Sequence, residues 1–236
     1  MQTIIHKAGT RGHADYGWLN TNYTFSFANY YDPARIRFGT LRVLNDDRID
    51  AGTGFDRHPH DNMEIVTIPL AGMLEHKDSM GNTMLIKSGD VQIMSAGTGI
   101  FHSEYNPDPD HELRLLQIWV FPKLKNIDPR YDQKTYDPAG RKNQWQRVVS
   151  PTEKDAVWIN QDAWFSLIHL DKAKTSEYLL QKSESGVYVF MIEGSSHVSG
   201  VQLDRRDGGG FWETSSLSFS ALEDSEILVM EIPMKA

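Results

Sequence analysis

The chain has 236 residues, a net charge of −8 and no cysteine. The missing cysteine excludes disulfides, thiolate metal sites and cysteine nucleophiles, so a transition-metal site would need histidine and carboxylate ligands. An acidic chain repels phosphate backbones, and no stretch reaches the roughly 20 apolar residues of a membrane span, so neither nucleic acid nor a membrane is an expected partner. The N-terminus, MQTIIHKAGTRGHADYGW, lacks the apolar core of a signal peptide, which makes the cytoplasm the expected compartment.

Short apolar or alternating segments follow one another along the chain, and many are rich in β-branched and aromatic residues. They are bounded by Gly, Asp, Asn or Pro, and no long stretch has a strong helical period. This pattern predicts an all-β sandwich or barrel. In chain order, the predicted strands are residues 38–44, 64–70, 91–94, 113–121, 164–170, 187–192 and 227–232.

One segment interrupts this series of strands. Residues 122–151 contain four prolines, many charges and little alternation, which indicates a crossover between two β domains. We therefore predict a first domain at residues 1–125, a linker at residues 126–148 and a second domain at residues 149–236.

Two short histidine motifs lie in the first half of the chain. His58 and His60 belong to an H-P-H triplet, and His102 and Glu104 belong to an H-S-E triplet. Residues i and i+2 of a strand point to the same face, so each triplet offers two ligands on one face. If the two strands meet inside a barrel, three imidazoles and one carboxylate converge, and this donor set suits a divalent transition metal.

A weak internal repeat predicts that the second half lacks such a site. The sequences IPLAG, ending at Gly72, and FMIEG, ending at Gly194, each look like a strand running into a glycine turn. Aligning the two glycines puts no histidine at the positions of either triplet. The residues found at those positions are Leu180, Lys182, Asp224 and Glu226.

The residues around the two triplets resemble the two sequence motifs of the cupin superfamily. Residues 52–72 resemble the first motif, with one residue more than usual between Glu64 and the last glycine. Residues 89–102 resemble the second motif, with Ser95 in place of the usual proline and the histidine two residues later than usual. In the common cupin pattern, Glu64 would be a metal ligand.

Four longer segments resemble the pirin family, especially its bacterial quercetinase-like members. They are TFSFANYYDP at residues 24–33, GFDRHPHDNMEIVT at residues 54–67, EHKDSMGN at residues 75–82 and MSAGTGIFHSEYNP at residues 94–107. The resemblance is dense up to about residue 130 and looser beyond it. It implies an all-β bicupin, which has two jelly-roll β-barrels in one chain and a metal in the N-terminal barrel only.

The resemblance also implies a set of metal ligands. Carried over by motif, these are His58, His60, His102 and Glu104, which leaves Glu64 beside the site. The favoured role of Glu64 is to hydrogen-bond a ligand imidazole; direct ligation and an ordinary strand carboxylate are the alternatives. One divalent transition metal is expected, with Fe(II) preferred and Mn, Co, Ni, Cu or Zn also compatible.

The implied function is that of a quercetin 2,3-dioxygenase, which opens the heterocyclic ring of a flavonol with O₂ and releases carbon monoxide. Glu104 is the favoured base for the 3-hydroxyl of the flavonol, and Glu64 is the reserve candidate. Four aromatic residues are candidates for lining a pocket around the flat substrate, although core packing is their favoured role. They are Phe25, Phe27, Tyr30 and Tyr31.

Two other functions stay open on the sequence. One is a metal-bearing, redox-sensitive regulatory protein that acts on a protein partner and has no physiological enzyme activity. The other is a structural barrel that its metal stabilises. Closed coordination would favour the structural role, and an open coordination position would favour catalysis.

Overall fold

A computed structural model describes residues 1–235, which form β-strands almost throughout. Helical structure in this range is limited to two short 3₁₀ segments, Ala8–Thr10 and Pro138–Arg141. No helix among these residues is both long and apolar enough to cross a lipid bilayer. The strands that precede the predicted linker are β1 (Gln2–His6), β2 (Gly12–Asp15), β3 (Leu19–Tyr23), β4 (Leu41–Ile49), β5 (Gly54–His60), β6 (Glu64–Ala71), β7 (Met73–Asp78), β8 (Thr83–Lys87), β9 (Asp90–Ser95), β10 (Ile100–Tyr105) and β11 (Leu113–Val120).

The second half of the chain is equally rich in strands. One of them lies inside the predicted linker, a second begins within the last residues of that linker, and the others lie in the predicted second domain. These strands are β12 (Arg130–Thr135), β13 (Gln146–Ser150), β14 (Val157–Trp158), β15 (Trp164–Leu170), β16 (Thr175–Leu179), β17 (Ser185–Glu193), β18 (Ser195–Val198), β19 (Val201–Asp204), β20 (Gly208–Trp212), β21 (Ser216–Ala221) and β22 (Ser225–Pro233).

The strands form two barrels with matching strand order, which confirms the predicted all-β bicupin fold. The first barrel has a seven-stranded sheet, β12-β9-β6-β11-β4-β3-β2, and a four-stranded sheet, β5-β10-β7-β8. The second has β1-β20-β17-β22-β15-β13-β14 and β16-β21-β18-β19. The glycines of the weak repeat, Gly72 and Gly194, follow the matching strands β6 and β17 with φ values of +79° and +82°. Both turns therefore use a backbone conformation that glycine adopts without strain.

Each large sheet ends in a strand that comes from outside the predicted domain. β1 pairs with β20 of the second barrel, from Gln2 opposite Trp212 to His6 opposite Gly208. β12, in the predicted linker, pairs with β9 of the first barrel. These two strands therefore pair outside the domain bounds predicted from the sequence. Pairing between strands far apart in the chain cannot be predicted from the local sequence pattern. The division at residues 125 and 149 otherwise stays a prediction.

The outer faces of the two large sheets pack against each other. Leu44 and Ile118 of the first barrel share one buried apolar cluster with Phe190 and Met230 of the second. The inner faces of these sheets are also buried, inside each barrel. Strands buried on both faces read as continuous apolar runs. This explains why all seven strands predicted from the sequence belong to the large sheets.

Strand β1 carries a buried histidine into the interface between the barrels. Nδ1 of His6 lies 2.9 Å from the hydroxyl of Tyr188, and Nε2 has no hydrogen-bond partner among residues 1–235. The His6 ring packs edge-on against Phe25, with 5.7 Å between ring centroids. Burial lowers the pKa of His6 to about 4, so this imidazole is neutral in the folded protein at neutral pH.

We expect His6 to weaken the fold as the pH falls from about 6.5 to about 4. In this window the unfolded chain, with an ordinary histidine pKa, binds a proton that the folded chain does not. The shift corresponds to about 3 kcal/mol. On going from pH 7 to pH 4, the wild type should lose about 3 kcal/mol more unfolding free energy than His6→Gln does. Urea unfolding with a chelator present would measure it.

The matched control is His13→Gln, which removes an exposed imidazole. We expect its unfolding free energy to follow that of the wild type across the same pH range. A constant difference between the wild type and His6→Gln from pH 7 to pH 4 would contradict the assignment.

Candidate metal centre

The small sheet of the first barrel places the two histidine triplets side by side. β10 pairs with β5 in antiparallel register, with His102 opposite His58 and Ile100 opposite His60. The register shifts between His102 and Glu104, so the pairing is irregular within the second triplet. Alternation along β5 sends His58 and His60 to one face. The sheet therefore collects three imidazoles on one wall of the barrel.

These three imidazoles lie in contact with one another. The ring centroid of His58 is 4.4 Å from that of His102 and 4.9 Å from that of His60. The centroids of His60 and His102 are also 4.9 Å apart. One ring nitrogen from each histidine lies within 4.8 Å of the corresponding nitrogens of the other two. Three nitrogen donors at this spacing are able to share one cation.

Hydrogen bonding at two of the histidines shows which ring nitrogens are available to bind a metal. Neither nitrogen of His102, which is 2% exposed, has a hydrogen-bond partner among residues 1–235. Nδ1 of His58 lies 2.7 Å from the carbonyl oxygen of Asp56. Because a carbonyl oxygen only accepts, Nδ1 of His58 carries the proton and Nε2 keeps a lone pair. A metal ion would satisfy the lone pairs of both rings, so these residues fit a metal.

Burial keeps the imidazoles in the form that binds metals. It lowers the pKa of His60 to about 4, with His58 adding to the effect. It lowers the pKa of His102 to about 2, with further contributions from His58 and His60. Metal ligation requires neutral imidazole, so His60 and His102 are ready to bind at neutral pH.

Glu104 lies at the edge of this histidine cluster. It is buried and forms a second close group with His76 and His102. Nε2 of Gln117 donates to both of its carboxylate oxygens, at 2.9 and 3.2 Å, and Oε1 of Gln117 accepts from the hydroxyl of Thr67 at 3.0 Å. Burial raises the pKa of Glu104. The predicted carboxylate ligand is thus adjacent to His102 and held in a fixed orientation, and its ligation stays a prediction.

His76 is a neighbour of the site that sequence reasoning did not single out. It is fully buried on β7, directly opposite Glu104 of β10. Its Nε2 lies 3.2 Å from Oδ2 of Asp78, and its ring packs on Tyr131 with 4.8 Å between centroids. The sequence feature that could have drawn attention to His76 is its i, i+2 spacing to Asp78. Its position opposite Glu104 results from the pairing of β7 with β10.

Glu64 takes part in a contact between the two barrels. Its Oε2 accepts hydrogen bonds from the hydroxyl of Ser95 at 2.8 Å and from the backbone N–H of Asn160 at 3.1 Å. Burial raises the pKa of Glu64 to about 7. No hydrogen bond joins Glu64 to an imidazole within residues 1–235. Its expected role in orienting a ligand remains a prediction, and its observed role is to link the barrels.

A cavity of about 470 Å³ opens beside the histidine cluster. Its size is in the range of small-molecule sites. Four aromatic side chains form the apolar part of its wall, and polar residues from β4, β5, β10 and β11 complete it. The lining residues are Trp18, Phe27, Asn45, Asp47, Gly54, Phe55, Asp56, His58, His60, Glu104, Gln117 and Trp119.

The aromatic residues proposed from sequence contribute unequally to this cavity. Phe27 lines it. Phe25 is buried against Tyr188 in the core between the barrels, and Tyr31 is 74% exposed. Sequence reasoning missed Trp119, although it lies two residues after Gln117 on β11 and therefore on the same face.

The matching part of the second barrel is apolar. β16 and β21 occupy the positions of β5 and β10, and their inward side chains are Tyr178, Leu217 and Phe219. Within residues 1–235, groups of three close potential ligands occur in the first barrel alone. The sequence repeat put the counterparts of H-S-E at Asp224 and Glu226, whereas the topology puts them in β21.

Comparisons with known proteins agree with this geometry. The family described as Pirin matches residues 5–120, and the family described as Quercetinase C-terminal cupin domain matches residues 147–232. A protein of Escherichia coli K12 named quercetin 2,3-dioxygenase is 44% identical over 97% of this chain and 98% of its own length. A protein of Pseudomonas aeruginosa named putative quercetin 2,3-dioxygenase is 43% identical over 94% of this chain and 95% of its own.

A solved structure of a bacterial pirin has the same fold. The crystal structure of the bacterial pirin YhhW from Escherichia coli in complex with nickel(II) matches with a TM-score of 0.93 and 42% identity. The match covers 98% of this chain and 99% of that chain. The two folds therefore agree over their whole length, and that relative holds a divalent metal.

We expect His102→Ala to reduce bound divalent metal by about tenfold or more, because His102 belongs to both close groups of potential ligands. Elemental analysis of the purified protein would measure the metal, and thermal unfolding would show that the fold is retained. His169→Ala is the matched control, since it removes an imidazole from the second barrel. Metal retained at the wild-type level in His102→Ala would remove this residue from the site.

Proposed function

Because this chain belongs to the pirin family, we propose that it is a metal-dependent dioxygenase of the quercetin 2,3-dioxygenase type. In the proposed reaction, a flavonol and O₂ give a depside and carbon monoxide through opening of the heterocyclic ring. The observation that carries the proposal is the meeting of three imidazoles and a buried carboxylate beside an aromatic-lined cavity. The names of the relatives from Escherichia coli and Pseudomonas aeruginosa support the substrate class.

The proposed metal ligands are His58, His60, His102 and Glu104. Imidazole nitrogen and carboxylate oxygen suit several divalent transition metals, of which Fe(II) is preferred here and Ni(II) is the ion in the complex of YhhW. When bound, the metal supplies Lewis acidity that favours loss of a proton from a hydroxyl group in the site.

Glu104 is the proposed base for the 3-hydroxyl of the flavonol. Burial raises its pKa, so its carboxylate takes up a proton more readily than an exposed one would. The amide of Gln117, itself held by Thr67, fixes the carboxylate in one orientation. A base held in this way is in place before the substrate arrives, which lowers the cost of reaching the transition state.

The aromatic wall has two proposed tasks. Trp18, Phe27, Phe55 and Trp119 present flat apolar surfaces to the cavity, against which the rings of a flavonol can stack. The same side chains exclude water, so that the deprotonated, electron-rich flavonol meets O₂ in a site of low polarity.

We expect the metal-loaded protein to consume quercetin in air. The reaction would be followed as loss of flavonol absorbance, together with carbon monoxide in the headspace. Separate samples loaded with Fe(II), Mn(II), Co(II), Ni(II) or Cu(II) would show which ion supports the reaction. Absence of carbon monoxide with all five metals would overturn the proposed activity.

We expect Glu104→Gln to lower the rate of flavonol consumption by about 100-fold or more, because glutamine cannot take up the proton. The substitution keeps the size of the side chain and one of the two oxygens that accept from Gln117. Glu177→Gln is the matched control, since it removes an exposed carboxylate from the corresponding sheet of the second barrel. A rate in Glu104→Gln equal to that of the control would show that Glu104 is not the base.

A further inference from the structure

The cavity at the histidine cluster borders a second cavity of about 300 Å³. Tyr16, Thr21 and Tyr23 are among the residues that line the second cavity alone. The chemistry proposed above uses none of them, so the space extends beyond the reacting centre. The residues that line both cavities are Trp18, Phe27, Asn45, Asp47 and Phe55.

Two polar side chains lie where the two cavities meet, and a third lies next to them on the wall of the second cavity. Asn45 and Asp47 are two residues apart on β4 and project from the same face. Thr21 of β3 is directly opposite Asp47. Asn45 and Asp47 are each 4% exposed, and Thr21 is 1% exposed. Oδ1 of Asn45 and Oδ1 of Asp47 have no hydrogen-bond partner among residues 1–235. The hydroxyl of Thr21 is a donor that faces the Asp47 carboxylate and lowers the pKa of Asp47.

Neighbouring polar groups inside the barrel, in contrast, have hydrogen-bond partners within the protein. Gln117 and Thr67 also face the interior, yet their amide and hydroxyl are hydrogen-bonded to each other. Buried oxygens without partners are rare in folded proteins, because each has lost its hydration and gained nothing in return. Two such atoms, on residues that border both cavities, indicate a site whose further hydrogen-bond donors come from a ligand.

The chemistry of these atoms indicates the kind of donor. The oxygens of Asn45 and Asp47 accept hydrogen bonds, and a phenolic hydroxyl donates one. Burial raises the pKa of Asp47 to about 7, and a hydroxyl donating to its carboxylate would offset the lost hydration. An anion is disfavoured at this place, since Glu104 lies close enough to contribute to the raised pKa of Asp47.

We propose that Asn45, Asp47 and Thr21 form a subsite that binds hydroxyl groups on the pendant ring of a flat aromatic substrate. Trp18 and Phe55 pack edge to face at 5.0 Å and border both cavities. A two-ring molecule stacked along them therefore reaches the polar subsite with one ring and the imidazoles with the other. The inference rests on the proposed function and narrows its substrate class to flavonols that carry hydroxyls on the pendant ring.

The test compares two flavonols that differ only at the pendant ring. Quercetin has two hydroxyls there and galangin has none. A site built to hydrogen-bond a hydroxyl discriminates against a ligand that lacks it, because the polar groups of the site are left unpaired. We expect the protein loaded with Ni(II) to bind quercetin about 10- to 100-fold more tightly than galangin. Quenching of tryptophan fluorescence under anaerobic conditions would measure binding without turnover.

The variants Asp47→Leu and Asn45→Leu test the residues themselves. Each should lower the ratio of quercetin affinity to galangin affinity by about tenfold. Asp50→Leu is the matched control, because it removes an exposed carboxylate just beyond the end of the same strand; its ratio should equal that of the wild type. Thermal unfolding would confirm that each variant is folded, and the two substitutions give independent readings of one subsite.

Each outcome bears on one proposal or on both. Equal affinity of the wild type for the two flavonols, or an unchanged ratio in both leucine variants, overturns the subsite. Preferential binding of quercetin without carbon monoxide release in air overturns the proposed reaction and supports the subsite. Carbon monoxide release without any preference supports the reaction and overturns the subsite. Failure to bind either flavonol overturns both.

Discussion

Packing of the two large sheets against each other is the interaction on which the rest of the structure depends. Residues such as Leu44 and Met230 bury the outer faces in one shared core, and the interior of the second barrel is filled by a second apolar cluster. Burial of apolar surface is the main source of folding free energy. Because much of it comes from outside the first barrel, the inner wall of that barrel can carry buried histidines, carboxylates and amides that do not themselves favour folding.

The same packing makes the two barrels parts of one folding unit. Strands β1 and β12 each complete a large sheet, β1 in the second barrel and β12 in the first. Glu64 joins the first barrel to the backbone of Asn160. The second barrel holds no close group of three potential metal ligands among the described residues. Its large sheet packs against the large sheet of the first barrel. Its contribution is thus to support the large sheet of the first barrel, which lines the cavity together with the small sheet that carries the candidate ligands.

Two kinds of polar atom without a bonding partner lie on the inner wall of the first barrel, ring nitrogens and side-chain oxygens. The imidazoles of His58 and His102 have lone pairs that a cation would satisfy. Asn45 and Asp47 have oxygens that hydroxyl donors would satisfy. His58, Asn45 and Asp47 line one cavity, and Asn45 and Asp47 also line the adjacent one. A metal ion and a hydroxylated aromatic ring are therefore complementary occupants, and the wall is organised before either of them binds.

The sequence by itself determined the all-β class, seven of the fourteen strands of the large sheets and the three histidines of the cluster, His58, His60 and His102. Strands buried on both faces have apolar runs, and i, i+2 spacing places two ligands on one face, so both features are local. Only the tertiary structure decided that His76 meets Glu104, that β1 belongs to the second barrel and that Asn45 and Asp47 face the cavity. These relations join strands far apart in the chain, and pairing between such strands depends on the whole fold.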